Sequence, residues 1–106
     1  MLYVPGNHEF YGQVWDKELA AMRMAAQGAN VQVLDRDVVV LESAQGPVRV
    51  LGATLWTDFR LFGDDTRPGA MREAEAMMND YRRIRLAGKG YRKLRAADTA
   101  QFHSRQ

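Results

Sequence analysis

The runs Val38-Val39-Val40-Leu41 and Val48-Arg49-Val50-Leu51 constrain the fold of this chain more than any other feature. β-branched side chains are stiff at χ1 and pack well on a pleated surface, so each run reads as a strand. Between them lie Ser43-Ala44-Gln45-Gly46-Pro47, a connection of hairpin length. A parallel link would need a crossover of about a dozen residues or more. Residues 38–53 are therefore expected to form an antiparallel hairpin. Arg49, between Val48 and Val50, implies that one face of the pair is solvated. A further β-like run, Val31-Gln32-Val33-Leu34, stands before a turn near Asp35-Arg36. It lies too close to Val38 for an intervening helix. The expectation is an antiparallel partner of the next run, or one bent edge with it.

Helical periodicity surrounds these strands, so the fold class is α/β. Trp15, Leu19, Met22 and Ala26 recur on one helical face, and their Trp and Met are expected in the core. Asp16 and Glu18 complement the dipole of the first turn, and Gly28 is the expected C′ residue. A second helix is expected from about Ala70 to Asn79, with Met71, Ala74 and Met78 inward and Glu73 and Glu75 off that stripe. A third spans Ala96 to Gln106, with Asp98 near its start, Phe102 facing inward and His103 on the surface. The loop before the second helix carries Asp64 and Asp65. Their adjacency lacks the alternation of a calcium loop, so they read as turn or cap residues.

A chain of 106 residues suffices for one domain with a modest core. No apolar run approaches the roughly 20 residues that span a bilayer, and no secretory leader is evident. With no cysteine there is no disulfide and no thiolate metal site, which is compatible with a cytoplasmic setting.

Chemistry concentrates near the amino terminus. The apolar run Leu2-Tyr3-Val4 stops at Pro5-Gly6, a pair suited to a tight turn because glycine tolerates positive φ. Asn7, His8 and Glu9 follow, placed to project from the rim of a sheet, where open α/β folds bind ligands. An amide oxygen is a hard, neutral ligand for divalent cations. A histidine beside a carboxylate can donate a proton or stabilise a phosphate oxygen.

Gly6-Asn7-His8-Glu9 resembles the Gly-Asn-His-Asp/Glu motif of the calcineurin-like metallophosphoesterases. The resemblance implies a layered α/β/β/α sandwich and hydrolysis of a phosphoester by two divalent metal ions, drawn from Mn, Fe, Zn or Mg. It implies that Asn7 ligates metal, that His8 reaches the substrate phosphate as an acid, and that Glu9 steadies His8. Two metals about 3.5–4 Å apart can clamp the attacking and leaving oxygens. A second stretch, Gly52-Ala53-Thr54-Leu55-Trp56-Thr57, resembles a segment of a bacterial subgroup of the same family, in the same order and about 45 residues on. Gly52 would let backbone pass close to its neighbours. Trp56 and Phe59 either line a substrate wall or pack in the core, and Asp58 either serves the site or caps its turn. Asn79-Asp80-Tyr81 lends weaker support.

The family's other ligands are missing. It also uses Asp-x-His and Gly-Asp before this motif, then a further His and Gly-His-x-His after it. Here the only histidines are His8 and His103. Residues 1–106 are therefore expected to form a single partial phosphoesterase domain that is inactive by itself.

Charge is divided along the chain. Residues 1–80 hold 7 Lys and Arg against 12 Asp and Glu, a net −5; residues 81–106 hold 8 against 1, a net +7. From Tyr81 to Arg95 the basic residues interleave with Tyr81 and Tyr91, and Gly88-Lys89-Gly90 breaks the run. The favoured reading is a mobile surface loop. The alternatives are a nucleic-acid groove, with cations for phosphate and rings for stacking, and a positive lid drawing phosphoesters to the site. A nucleic-acid-binding module and a non-catalytic structural remnant are the two rival functions.

Overall fold

The computed structural model describes residues 1–106 and is a mixed α/β chain with four helices and three small sheets. Strand β1 (Leu2–Tyr3) leads through a 3₁₀ turn (Asn7–Phe10) and strand β2 (Gln13–Val14) into helix α1 (Trp15–Ala26). Strand β3 (Gln32–Val33) then pairs parallel with β1, Leu2 opposite Gln32 and Tyr3 opposite Val33. This overturns the antiparallel or bent-edge expectation for Val31–Leu34. The expectation looked only forward to Val38, whereas α1 supplies the crossover that a parallel pairing with β1 requires. The stripe of α1 faces inward as expected, with Leu19 buried and Trp15, Met22 and Ala26 packed on the core. Gly28 takes φ +79° just beyond the helix end, where a Cβ would be strained.

Strands β4 (Asp37–Ser43) and β5 (Gly46–Gly52) form the expected antiparallel hairpin, with Val39 opposite Val50 and Val40 opposite Arg49. Ala44-Gln45 is the two-residue turn between them, with Gly46 at φ +113°. Solvent reaches further than Arg49 implied, because Val38, Val40, Val48 and Leu51 are all exposed. The base of the hairpin is tied down instead. Arg23 Nη2 lies 3.0 Å from Asp37 Oδ2, and the Thr54 N–H donates to Asp35 Oδ1 at 3.3 Å. Gly52 is buried so close to Leu34 that a Cβ there would lie 2.7 Å from Leu34 Cδ1. The close passage anticipated at Gly52 is present.

Helix α2 (Arg67–Met77) starts earlier than its apolar pattern suggested, because Pro68 fits the first helical turn, where no N–H is needed. It also stops before Met78, which is left extended and exposed, so only Met71 and Ala74 turn inward. The basic segment departs most from expectation. It contains the short helix α3 (Asp80–Arg83), strand β6 (Ile84–Leu86), a 3₁₀ turn (Ala87–Lys89) and strand β7 (Arg92–Lys93). Strand β6 is the middle of a three-stranded sheet, parallel to β2 and antiparallel to β7. A surface loop is therefore the wrong description. Ile84, Leu86 and Leu94 are buried, while Arg85 points to solvent between the first two. Period-two alternation lets a strand bury one face and hydrate its cations on the other.

Helix α4 (Ala96–Ser104) closes the chain. Asp98 in its first turn accepts the Arg95 N–H at 2.8 Å and pairs with the two terminal guanidinium nitrogens of Arg92 at 2.7 and 2.9 Å. Those bonds outweigh burial and hold the Asp98 carboxyl below its ordinary pKa. Phe102 stacks on Trp15 with centroids 4.6 Å apart, and Trp56 meets Phe102 at 6.0 Å. Phe10 also meets Trp15, with ring centroids 6.1 Å apart. One aromatic row thus joins the turn after β1 to Trp56, which like Phe59 is partly buried against the core.

Candidate functional site

The site begins where β1 ends. Pro5 is buried, and its carbonyl accepts the Thr54 hydroxyl at 2.6 Å, which fixes the strand's exit. Gly6 has φ −88° and ψ 175°, so the expected tight turn with a left-handed glycine does not occur there. A Cβ at this position would come within 2.9 Å of Glu9 Oε2, so the flexible carboxylate would have to shift. The Gly6 N–H donates to that same oxygen at 2.6 Å. This bond closes the 3₁₀ turn, and Phe10, wholly buried, pins its far end. Reversal of the chain comes later, at Gly12 with φ +73°, whose N–H donates to the Arg83 carbonyl at 2.7 Å.

Asn7 is held from one side. Its Nδ2 donates to Asp80 Oδ1 at 2.9 Å and Oδ2 at 3.0 Å. A carboxylate accepts only, so the amide nitrogen must face it and the amide oxygen must face away. No group of the chain donates to that oxygen. Asp80 is 3% exposed and also accepts the Tyr11 hydroxyl. It comes from 73 residues along the chain, at the start of α3. Three groups of the chain thus form one small polar unit: carboxylate, amide and phenol.

His8 is exposed, and its ring stacks on Tyr11 with centroids 4.6 Å apart and planes inclined 30°. Glu9 spends Oε2 on the Gly6 backbone, so its influence on His8 runs through the shape of the turn. The structure therefore joins Asn7 to Tyr11 and Asp80, and His8 to Tyr11, while Glu9 stays on the turn's own backbone. In the sequence Asp80 offers only a weak local likeness, and nothing there singles out Tyr11. The available signal was the position of Asp80 as the last acid before a long basic run.

Asp58 Oδ1 accepts the Arg60 N–H at 3.0 Å, the turn-capping job. Its other oxygen is 3.9 Å from His103 Nε2, and His103 Nδ1 meets the Trp56 carbonyl at 2.8 Å. Asp64 pairs with Arg60 on the surface, and Asp65 is exposed. No group of three or more His, Cys, Asp or Glu side chains converges as a metal cage. No helix is long and apolar enough to cross a membrane.

Burial, followed by the bond to Asp80, pushes the Tyr11 phenol up from 10.0 to about 12. A folded-state pKa above the unfolded value means the contribution to stability is complete below pH 10 and is lost as pH rises through about 12. Near-ultraviolet phenolate titration of the chain and of Tyr11→Phe should differ by one tyrosine ionising near the top of that window. A difference centred at ordinary tyrosine pH would mean that the Tyr11–Asp80 bond is absent in solution.

Set against protein-family models, curated proteins and solved structures, the chain matches none.

Proposed function

We propose that residues 1–106 are the Asn-His portion of a calcineurin-like metallophosphoesterase, built on its α/β/β/α sandwich and acting on a phosphoester substrate. The observation that carries this reading is the orientation of Asn7. Its nitrogen is committed to Asp80 and its oxygen is left without a partner in the chain, as a neutral oxygen ligand should be. The exposed His8 is the next residue along the same turn, with its ring stacked on Tyr11. Parallel pairing of β1 with β3 around α1 agrees with the α/β layering of the proposal.

Asn7 Oδ1 fits one ligand position, and two divalent ions need several more. When bound, the two ions would polarise the phosphoryl group and lower the pKa of an attacking water. The chain's own residues would do the rest. Asp80 holds the amide, Asn7 presents oxygen, and His8 donates a proton to the leaving oxygen. Glu9 keeps the turn closed.

Translating the reading frame on both sides of this segment tests the assignment. Asp-x-His and Gly-Asp before Met1, with Gly-His-x-His after Gln106, are the expected finding. A frame carrying other sequence at both ends would remove the phosphoesterase reading.

A further inference from the structure

A cavity of about 480 Å³ opens beside Tyr11, lined by Tyr11, Gly12, Arg82, Arg83 and Arg85 among others. Three arginines and no carboxylate line it, so the space carries net positive charge. Two of the three are braced: Arg82 donates to the Ala76 carbonyl, and Arg85 donates to the Tyr91 carbonyl at 2.9 Å. Arg83 is not braced. Its side chain makes no hydrogen bond, and its guanidinium carbon lies 5.9 Å from the Tyr11 ring centre. The planar fork of five donors therefore remains available for an oxyanion.

We propose that this cavity is a phosphate-binding subsite, with Arg83 as the principal donor and Arg82 and Arg85 supplying charge. Tyr11 adjoins both this cavity and His8, whose ring is 4.6 Å from its own. One phosphate in the cavity would thus sit beside the His8 turn. That relation to hydrolysis rests on the proposed function, whereas binding of the anion does not. The ligand class is a compound with a phosphate group besides the one at His8, either a small polyphosphate ester or a single-stranded nucleic acid.

The test is a titration of the 106-residue chain with inorganic pyrophosphate, and separately with an oligothymidylate, followed by amide NMR. Both are run with chelator present, so that the fate of the metal proposal does not affect the result. Saturable shifts centred on Gly12 and Arg83 are expected. Arg83→Gln should weaken binding about tenfold or more, since a charge-assisted fork to phosphate is lost. Arg105→Gln, which removes the same charge from the exposed end of α4, should change it by no more than about twofold at physiological salt. Saturation by pyrophosphate assigns the site to small phosphate compounds; saturation by the oligomer alone assigns it to a nucleic-acid backbone. Shifts spread evenly over the basic surface, no saturation with either probe, or equal losses in the two variants would overturn the subsite.

Discussion

His8→Ala, made in a polypeptide that carries the full phosphoesterase ligand set, is expected to slow hydrolysis of an alkyl phosphoester by roughly 10²–10⁴-fold. The side chain is exposed at the turn, and its ring rests on Tyr11 rather than in the core. Its removal should therefore leave the fold and the bound metal unchanged. The loss should shrink for an aryl ester whose leaving group, such as a nitrophenolate, needs no proton. Asn7→Ala should fail differently, with metal lost or loosened and activity partly restored by excess metal. Metal content and turnover on the two esters separate the cases. An emptied metal site in His8→Ala, or equal slowing of both substrates, would show that His8 is not the acid.

Phe10→Ala should cost about 3–5 kcal/mol, the usual range for emptying a buried phenylalanine site. Phe10 is fully buried in a core of nine residues, and its ring meets Trp15. Only 18 of 106 residues are buried, so there is little else to absorb the loss. A domain with about 5 kcal/mol in hand would be left with about 0–2 kcal/mol. The consequence reaches the site, because Phe10 ends the turn that displays Asn7 and His8. Urea unfolding measures the cost, with Leu55→Ala as the comparison. Leu55 is 89% exposed, and its truncation should stay within about 0.5 kcal/mol. Similar midpoints for the two variants would contradict the placement of Phe10.

The elements legible in the sequence were those with a local cause. Trp15, Leu19, Met22 and Ala26 repeat with the helical period, and α1 follows it. Two β-branched runs joined by a short connection can hardly avoid pairing, and β4 and β5 do pair. Gly52 announced a close passage, which Leu34 occupies. Other features have non-local causes. The partner of β3 is 30 residues back along the chain, at β1, and no short-range pattern points to it. Strand β6 is hidden in the sequence because its buried Ile84 and Leu86 sit in a stretch, residues 81–95, that holds seven Lys and Arg and no acid. In the candidate site, Asn7, His8 and Glu9 were visible as residue types. Their partners were not, since Asp80 is 73 residues from Asn7 and only the folded chain brings it there. Glu9 likewise carries the right chemistry for two jobs, and local geometry assigns it to the Gly6 N–H.

Manganese titration of the 106-residue chain, followed by paramagnetic broadening of its NMR signals, tests the central claim most directly. On the proposed reading Asn7 ligates metal through its amide oxygen, so its side-chain amide and the neighbouring His8 and Tyr11 signals should broaden first at substoichiometric Mn²⁺. Binding should be weak, because one neutral ligand cannot assemble a two-metal site, and Asn7→Ala should abolish the local effect. Broadening that spares residues 7–11, or persists unchanged in Asn7→Ala, would contradict the assignment of Asn7 as a metal ligand.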